Sequence, residues 1–168
     1  MRNPYARWAT VMALALVCIL ARSLKAQEPS ESIAVAEPLT YTVVYSDSLG
    51  LSHFADRHID FELVDYAPPA PPISVSEVTE ADGLVFISSP GGWYGDWHPA
   101  PRRQMIFCLS GKLEVEVSDG EVRRFGPGAV ILVEDTSGQG HVTRVVGEDR
   151  AYLLAAPTPR PFGKRPAP

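Results

Sequence analysis

The segment Lys112 to Val117 (KLEVEV) alternates strictly, with Leu113, Val115 and Val117 on one side and Lys112, Glu114 and Glu116 on the other. A period of two is that of a strand with one face in a core and the other in water. Ser118-Asp119-Gly120 then supplies tight-turn chemistry before Glu121 to Phe125, which predicts a hairpin, and Gly126-Pro127-Gly128 supplies the next reversal. A chain holding such a hairpin needs further strands to cover its apolar face.

The rest of the sequence provides them. Strands are expected at Leu39 to Tyr45, Ile59 to Val64, Leu84 to Ser88, Gln104 to Ser110, Val130 to Val133, His141 to Val146 and Tyr152 to Ala156. No segment has a helical period. Many short strands at regular spacing predict an all-β barrel or sandwich. Ala67 to Pro72 (APPAPP) lacks the donors to lie inside a sheet and is expected as an extended segment across the surface, after an N-terminal strand pair.

At 168 residues and 45% hydrophobic content there is material for one core. Residues 1–26 read as a signal peptide: Arg2 and Arg7 precede the apolar run Ala9 to Ala21, and Ala26 offers a small residue before Gln27. The run is shorter than the roughly 20 residues of a membrane-spanning helix, so the expectation is an exported protein, periplasmic or secreted, with no stable membrane insertion after cleavage. The expected organisation continues with a linker at 27–38, N-terminal strands and the proline-rich segment at 39–75, a barrel at 76–157 and a disordered tail at 158–168. Loss of Arg2, Arg7, Arg22 and Lys25 takes the net charge from −5 to −9, which argues against a nucleic-acid partner. Cys108 is then the single remaining thiol, and its apolar strand favours burial.

Gly92, five residues, His98-Pro99-Ala100, three residues, Gln104, six residues and Gly111 reproduce the spacing of the first cupin motif. Ala100 stands where that motif has its second histidine and Gln104 where it has glutamate. A looser match to the second motif runs from Gly128 to His141, with Glu134 and Thr136 in place of its proline and glycine and Val145 in place of its asparagine. The chain therefore resembles the cupin superfamily, and closely the small single-domain bacterial cupins. That resemblance implies an all-β, cupin-type double-stranded β-helix (jelly-roll barrel) with an N-terminal strand pair, a small-molecule ligand, and a homodimer.

The resemblance also implies a metal site of His98, Gln104 and His141 for a divalent transition metal (Mn, Fe, Ni or Zn), with two imidazoles and an amide supplying no ligand charge. His53, or less readily His58, is a candidate to replace the missing histidine. Arg102 and Arg103 are candidates to orient an anionic substrate, and Trp93, Tyr94 and Trp97 to line the pocket mouth. Three readings stay open: a metal-dependent enzyme (oxidoreductase, lyase or isomerase), a non-catalytic binding or sensing barrel without metal, and a purely structural dimer module. The fold alone does not choose between them.

Overall fold

In the computed structural model, which describes residues 33–159, twelve strands and no helix form two facing sheets and a small hairpin. The signal peptide expected at 1–26, most of the linker at 27–38 and the tail beyond residue 159 lie outside the described residues. The strands are β1 (Leu39–Ser46), β2 (Ser52–Ile59), β3 (Glu62–Val64), β4 (Ile73–Val75), β5 (Val85–Ser89), β6 (Tyr94–His98), β7 (Gln104–Ser110), β8 (Leu113–Val117), β9 (Val122–Phe125), β10 (Val130–Val133), β11 (His141–Val145) and β12 (Ala151–Pro157).

One sheet has six strands in the order β2-β1-β10-β7-β12-β5, and the other has four in the order β6-β11-β8-β9. The alternation at β8 works as its sequence requires. Leu113, Val115 and Val117 are buried between the sheets, while Glu114 and Glu116 reach Arg144 of β11 at 3.3 and 2.5 Å on the outer face. The predicted hairpin closes with the Gly120 N–H donating to the Val117 carbonyl. Cys108 is buried in the inter-sheet core beside Ile106, and burial pushes its thiol pKa up.

The N-terminal strand pair is β1 and β2, fully registered from Leu39 opposite Ile59 to Ser46 opposite Ser52, and β1 runs parallel to β10. This corrects the expected strand at Ile59 to Val64. That stretch is the end of β2, a break at Asp60 and Phe61, and the short β3. The proline-rich segment is also not an extended strap. It turns, with the Ala70 N–H donating to the Ala67 carbonyl at 3.0 Å, and closes the β3–β4 hairpin. Proline cannot donate to a ladder but fits a turn, so the same residues that bar a sheet interior serve a reversal. The stretch leading to His98, which is not among the strands expected from the sequence, is the edge strand β6.

Candidate functional site

The sheets enclose a cavity of about 160 Å³ between them. Gln104, at the start of β7, points into it from the six-stranded sheet. Its register neighbour is Val133 of β10, which in turn pairs near Val44 of β1. From the other sheet come His98, the last residue of β6, and His141, the first of β11, which sit opposite each other in register. Three residues spaced along the sequence thus meet at one end of one cavity.

The two histidines are held by backbone contact as well as by pairing. Gly140 has φ +75°, and a Cβ built there would lie 2.0 Å from the His98 carbonyl oxygen. Only glycine permits both the left-handed backbone and that approach. The imidazole centroids are 4.9 Å apart with an interplanar angle of 50°.

Each ring has one nitrogen committed. The His98 Nδ1–H donates to the Asp96 carbonyl at 2.6 Å, and the His141 Nδ1–H donates to Oδ2 of Asp135 at 2.7 Å. In a neutral imidazole, a ring nitrogen that donates to oxygen leaves the other nitrogen, Nε2, with its lone pair, the arrangement that metal-ligating histidines use. Asp135 is fully buried, and among the described residues its Oδ1 has no hydrogen-bond partner. Burying a carboxylate with one oxygen unsatisfied is costly in a protein interior. A cation held by His141 would offset part of that cost, because Asp135 would supply through the ring the negative charge that the ligands themselves lack. Imidazole suits first-row transition ions, so this donor set fits such a metal. Among the described residues no three His, Cys, Asp or Glu side chains gather as a ligand set, and the amide of Gln104 lines the same cavity as the two histidines.

The turn carrying His141 is clamped by the N-terminal hairpin. Ser46 Oγ donates to the Ser137 carbonyl at 2.7 Å, the Gln139 N–H to the Gly50 carbonyl at 3.1 Å, and the buried Ser52 Oγ to the Gly140 carbonyl at 2.6 Å. The Asp135 carbonyl accepts the Ala100 N–H at 3.1 Å, which ties this turn to the His98 segment.

Several candidate residues lie elsewhere. His53 does not reach the cavity. Its Nδ1 bonds Asp119 at 2.7 Å and its Nε2 bonds Asp47 at 3.1 Å. The Asp47 bond, then that of Asp119, raises the pKa of this imidazole, while the bond from His53 lowers that of Asp47. His58 sits on the exposed face of β2 with its Nδ1 3.1 Å from Thr40 Oγ1. Neither arginine lines the cavity. Arg102 is exposed in the turn before β7, and Arg103, just ahead of that strand, bonds Glu134 at 3.0 Å and Thr158 at 2.6 Å.

Of the aromatic candidates, Trp93 lines the cavity and Trp97 does not. A bulge causes this. His141 pairs with His98 and Thr143 with Gly95, so β6 spends three residues where β11 spends two, and the parity of its side chains changes. The Trp93 indole then folds over Gly95, where a Cβ would lie 2.5 Å from its Cη2. Tyr94 faces outward with the Arg144 guanidinium 5.8 Å from its ring centre. Sequence reasoning missed Asp135. The signal available was an acidic residue between an apolar strand and a glycine-rich turn ending in histidine.

The cupin-domain family model matches residues 84–157, from just before β5 to the end of β12. This segment is a cupin domain. The cupin stretch holds His98, Gln104, Asp135 and His141, while Val44 and the Ser46 and Ser52 clamps come from outside it. Among solved structures, the chain is similar to a Cupin 2 conserved barrel domain protein from Salinispora arenicola, at 17% identity over 58% of this chain and 73% of that one, with a TM-score of 0.39. It is similar to an RmlC-like cupin protein from Desulfovibrio desulfuricans, at 14% identity over 79% of this chain and 96% of that one, with a TM-score of 0.34. A conserved protein of unknown function from Streptococcus pyogenes gives 22% identity over 51% and 72% of the two chains, with a TM-score of 0.36. A search of the curated proteins found no match.

Proposed function

We propose that this cupin domain binds a divalent transition metal (Mn, Fe, Ni or Zn) through Nε2 of His98, Nε2 of His141 and the amide oxygen of Gln104, and presents it to a small oxygen-containing molecule in the cavity. The observation that carries the reading is that both rings donate from Nδ1 to a fixed oxygen, so each neutral ring keeps Nε2 as an acceptor. A metal held there would act as a Lewis acid on a ligand oxygen. The chain's own residues orient the donors: Asp96 and Asp135 set the ring rotations, Gly140 sets their separation, and the surrounding aliphatic side chains exclude water.

Elemental analysis of the purified protein and calorimetric titration with each metal test this. His98→Ala and His141→Ala should each lower bound metal strongly. Gln104→Glu should raise affinity by adding Coulomb attraction where screening is weak. Wild-type binding no tighter than roughly millimolar, about −4 kcal/mol, with histidine variants indistinguishable from it, would refute the reading.

A second reading, a non-catalytic binding or sensing barrel without metal, draws support from Ala100, which is buried at the cavity wall where the cupin motif has a ligand histidine. Metal content separates the two. The basic start and apolar run of the sequence support export, which an N-terminus at Gln27 in material recovered outside the cytoplasm would bear on.

A further inference from the structure

The cavity carries its imidazole and amide groups at one end, and the rest of its length is aliphatic apart from the hydroxyls of Ser89 and Thr143, an order that strand register establishes. Moving along β7 from Gln104, the next inward residue is Ile106, opposite Ile131 of β10. Beyond it Leu153 of β12 pairs with Ile87 of β5, both on the cavity wall. On the facing sheet, moving along β8 away from Val117, which pairs with His141, come Val115 and then Leu113. Donors therefore cluster where the strands carry Gln104, His98 and His141, and aliphatic side chains follow from both sheets.

Among the described residues, no lysine or arginine lines this cavity. Arg103, the nearest cation in sequence to Gln104, is turned outward to Glu134. The remaining polar side chains on the wall, Ser89 and Thr143, carry no charge. A ligand with a second charged group would have to bury it without a partner, which costs far more than hydroxyls can return.

We propose that the cavity takes a molecule with one oxygen-bearing head and an apolar body of several carbons, the head against His98, Gln104 and His141 and the body among Ile106, Val115, Leu113 and Leu153. The placement of the head rests on the donor reading given above, whereas the body rests on the aliphatic wall alone. Trp93, folded over Gly95, covers the body from the β6 side.

The test is calorimetric titration of the full chain with straight-chain monocarboxylates from propanoate to octanoate, the matching primary alcohols and the matching dicarboxylates, with manganese and again without metal. Affinity should rise about fourfold per added methylene, the equivalent of ~0.8 kcal/mol, until the cavity is full. Dicarboxylates should bind at least about tenfold more weakly than monocarboxylates of the same length, since their second charge meets no cation. Ile87→Phe should end the rise at a shorter chain and Ile87→Ala at a longer one. Affinity independent of chain length, or dicarboxylates binding as well as monocarboxylates, would overturn the proposal. Manganese binding without a chain-length slope would overturn it and leave the donor reading standing. A slope for the alcohols in a protein that takes up no metal would uphold the apolar body and refute the donor reading.

Discussion

Replacing Asp135 with asparagine separates two things its carboxylate does. Asparagine keeps an oxygen for the His141 Nδ1–H, now 2.7 Å from Oδ2, but removes the charge. A charge-assisted hydrogen bond is roughly twice as strong as a neutral one, so about 1 kcal/mol is lost there. Removing a fully buried carboxylate with an unpartnered Oδ1 returns a comparable amount, and the apo protein should stay within about 1 kcal/mol of wild type. Metal affinity should behave differently, because loss of such a supporting carboxylate lowers it by roughly 10–100-fold, or about 1.4–2.7 kcal/mol. Asp135→Ala is the control. It leaves the His141 Nδ1–H buried without an acceptor and should cost about 1–3 kcal/mol of folding free energy as well as the metal. Urea denaturation of the apo proteins and calorimetric metal titration read the two effects independently. Metal binding by the asparagine variant within twofold of wild type, or a stability loss equal to that of alanine, would refute the reasoning.

Val115→Asp should lose about 3–5 kcal/mol by burying an unpaired charge, whereas Glu116→Lys, on the solvent face beside Arg144, should cost about 1 kcal/mol or less; equal denaturation midpoints would reverse the strand's facing. Gly140→Ala should cost at least about 2 kcal/mol through its positive φ and its clash with the His98 carbonyl, measured by thermal unfolding. The raised His53 pKa makes its contribution to stability fully present below the unfolded value of 6.5, and that contribution disappears as pH rises through the higher folded value. The stability difference between wild type and His53→Gln should therefore shrink with rising pH over that window, and a constant difference would show that the Asp47 and Asp119 bonds do not favour the protonated imidazole in the fold.

The hairpin of β8 and β9 was legible because one strand face meets a core and the other meets water, which writes a period of two into the residues themselves. The edge strand β6 was not, since its bulge shifts the parity between Gly95 and His98 and erases the alternation. In β2, Phe54 is the only large side chain it buries, so its pairing with β1 rather than its own composition makes it a strand. Motif spacing brought His98, Gln104 and His141 together on paper as they stand in space. It said nothing of Asp135, because an acidic pair next to a glycine-rich turn reads as surface until the fold closes over it. His53 and Arg103 lie away from the cavity for a related reason: besides Asp47, six residues before His53, their partners are Asp119, Glu134 and Thr158, which lie 66, 31 and 55 residues away.

The β1–β2 hairpin lies entirely upstream of the segment that matches the cupin family, yet Val44 forms part of the cavity wall and Ser52 holds the loop that delivers a histidine. The unit that folds and the unit that is recognisable by descent are thus different lengths of chain. A fragment cut at Leu84 would keep every proposed ligand and still expose the flank of β10 to water, with nothing to hold the Ser137 carbonyl or the Gly140 carbonyl in place. Any transplant of this barrel into another protein has to carry its upstream arm with it.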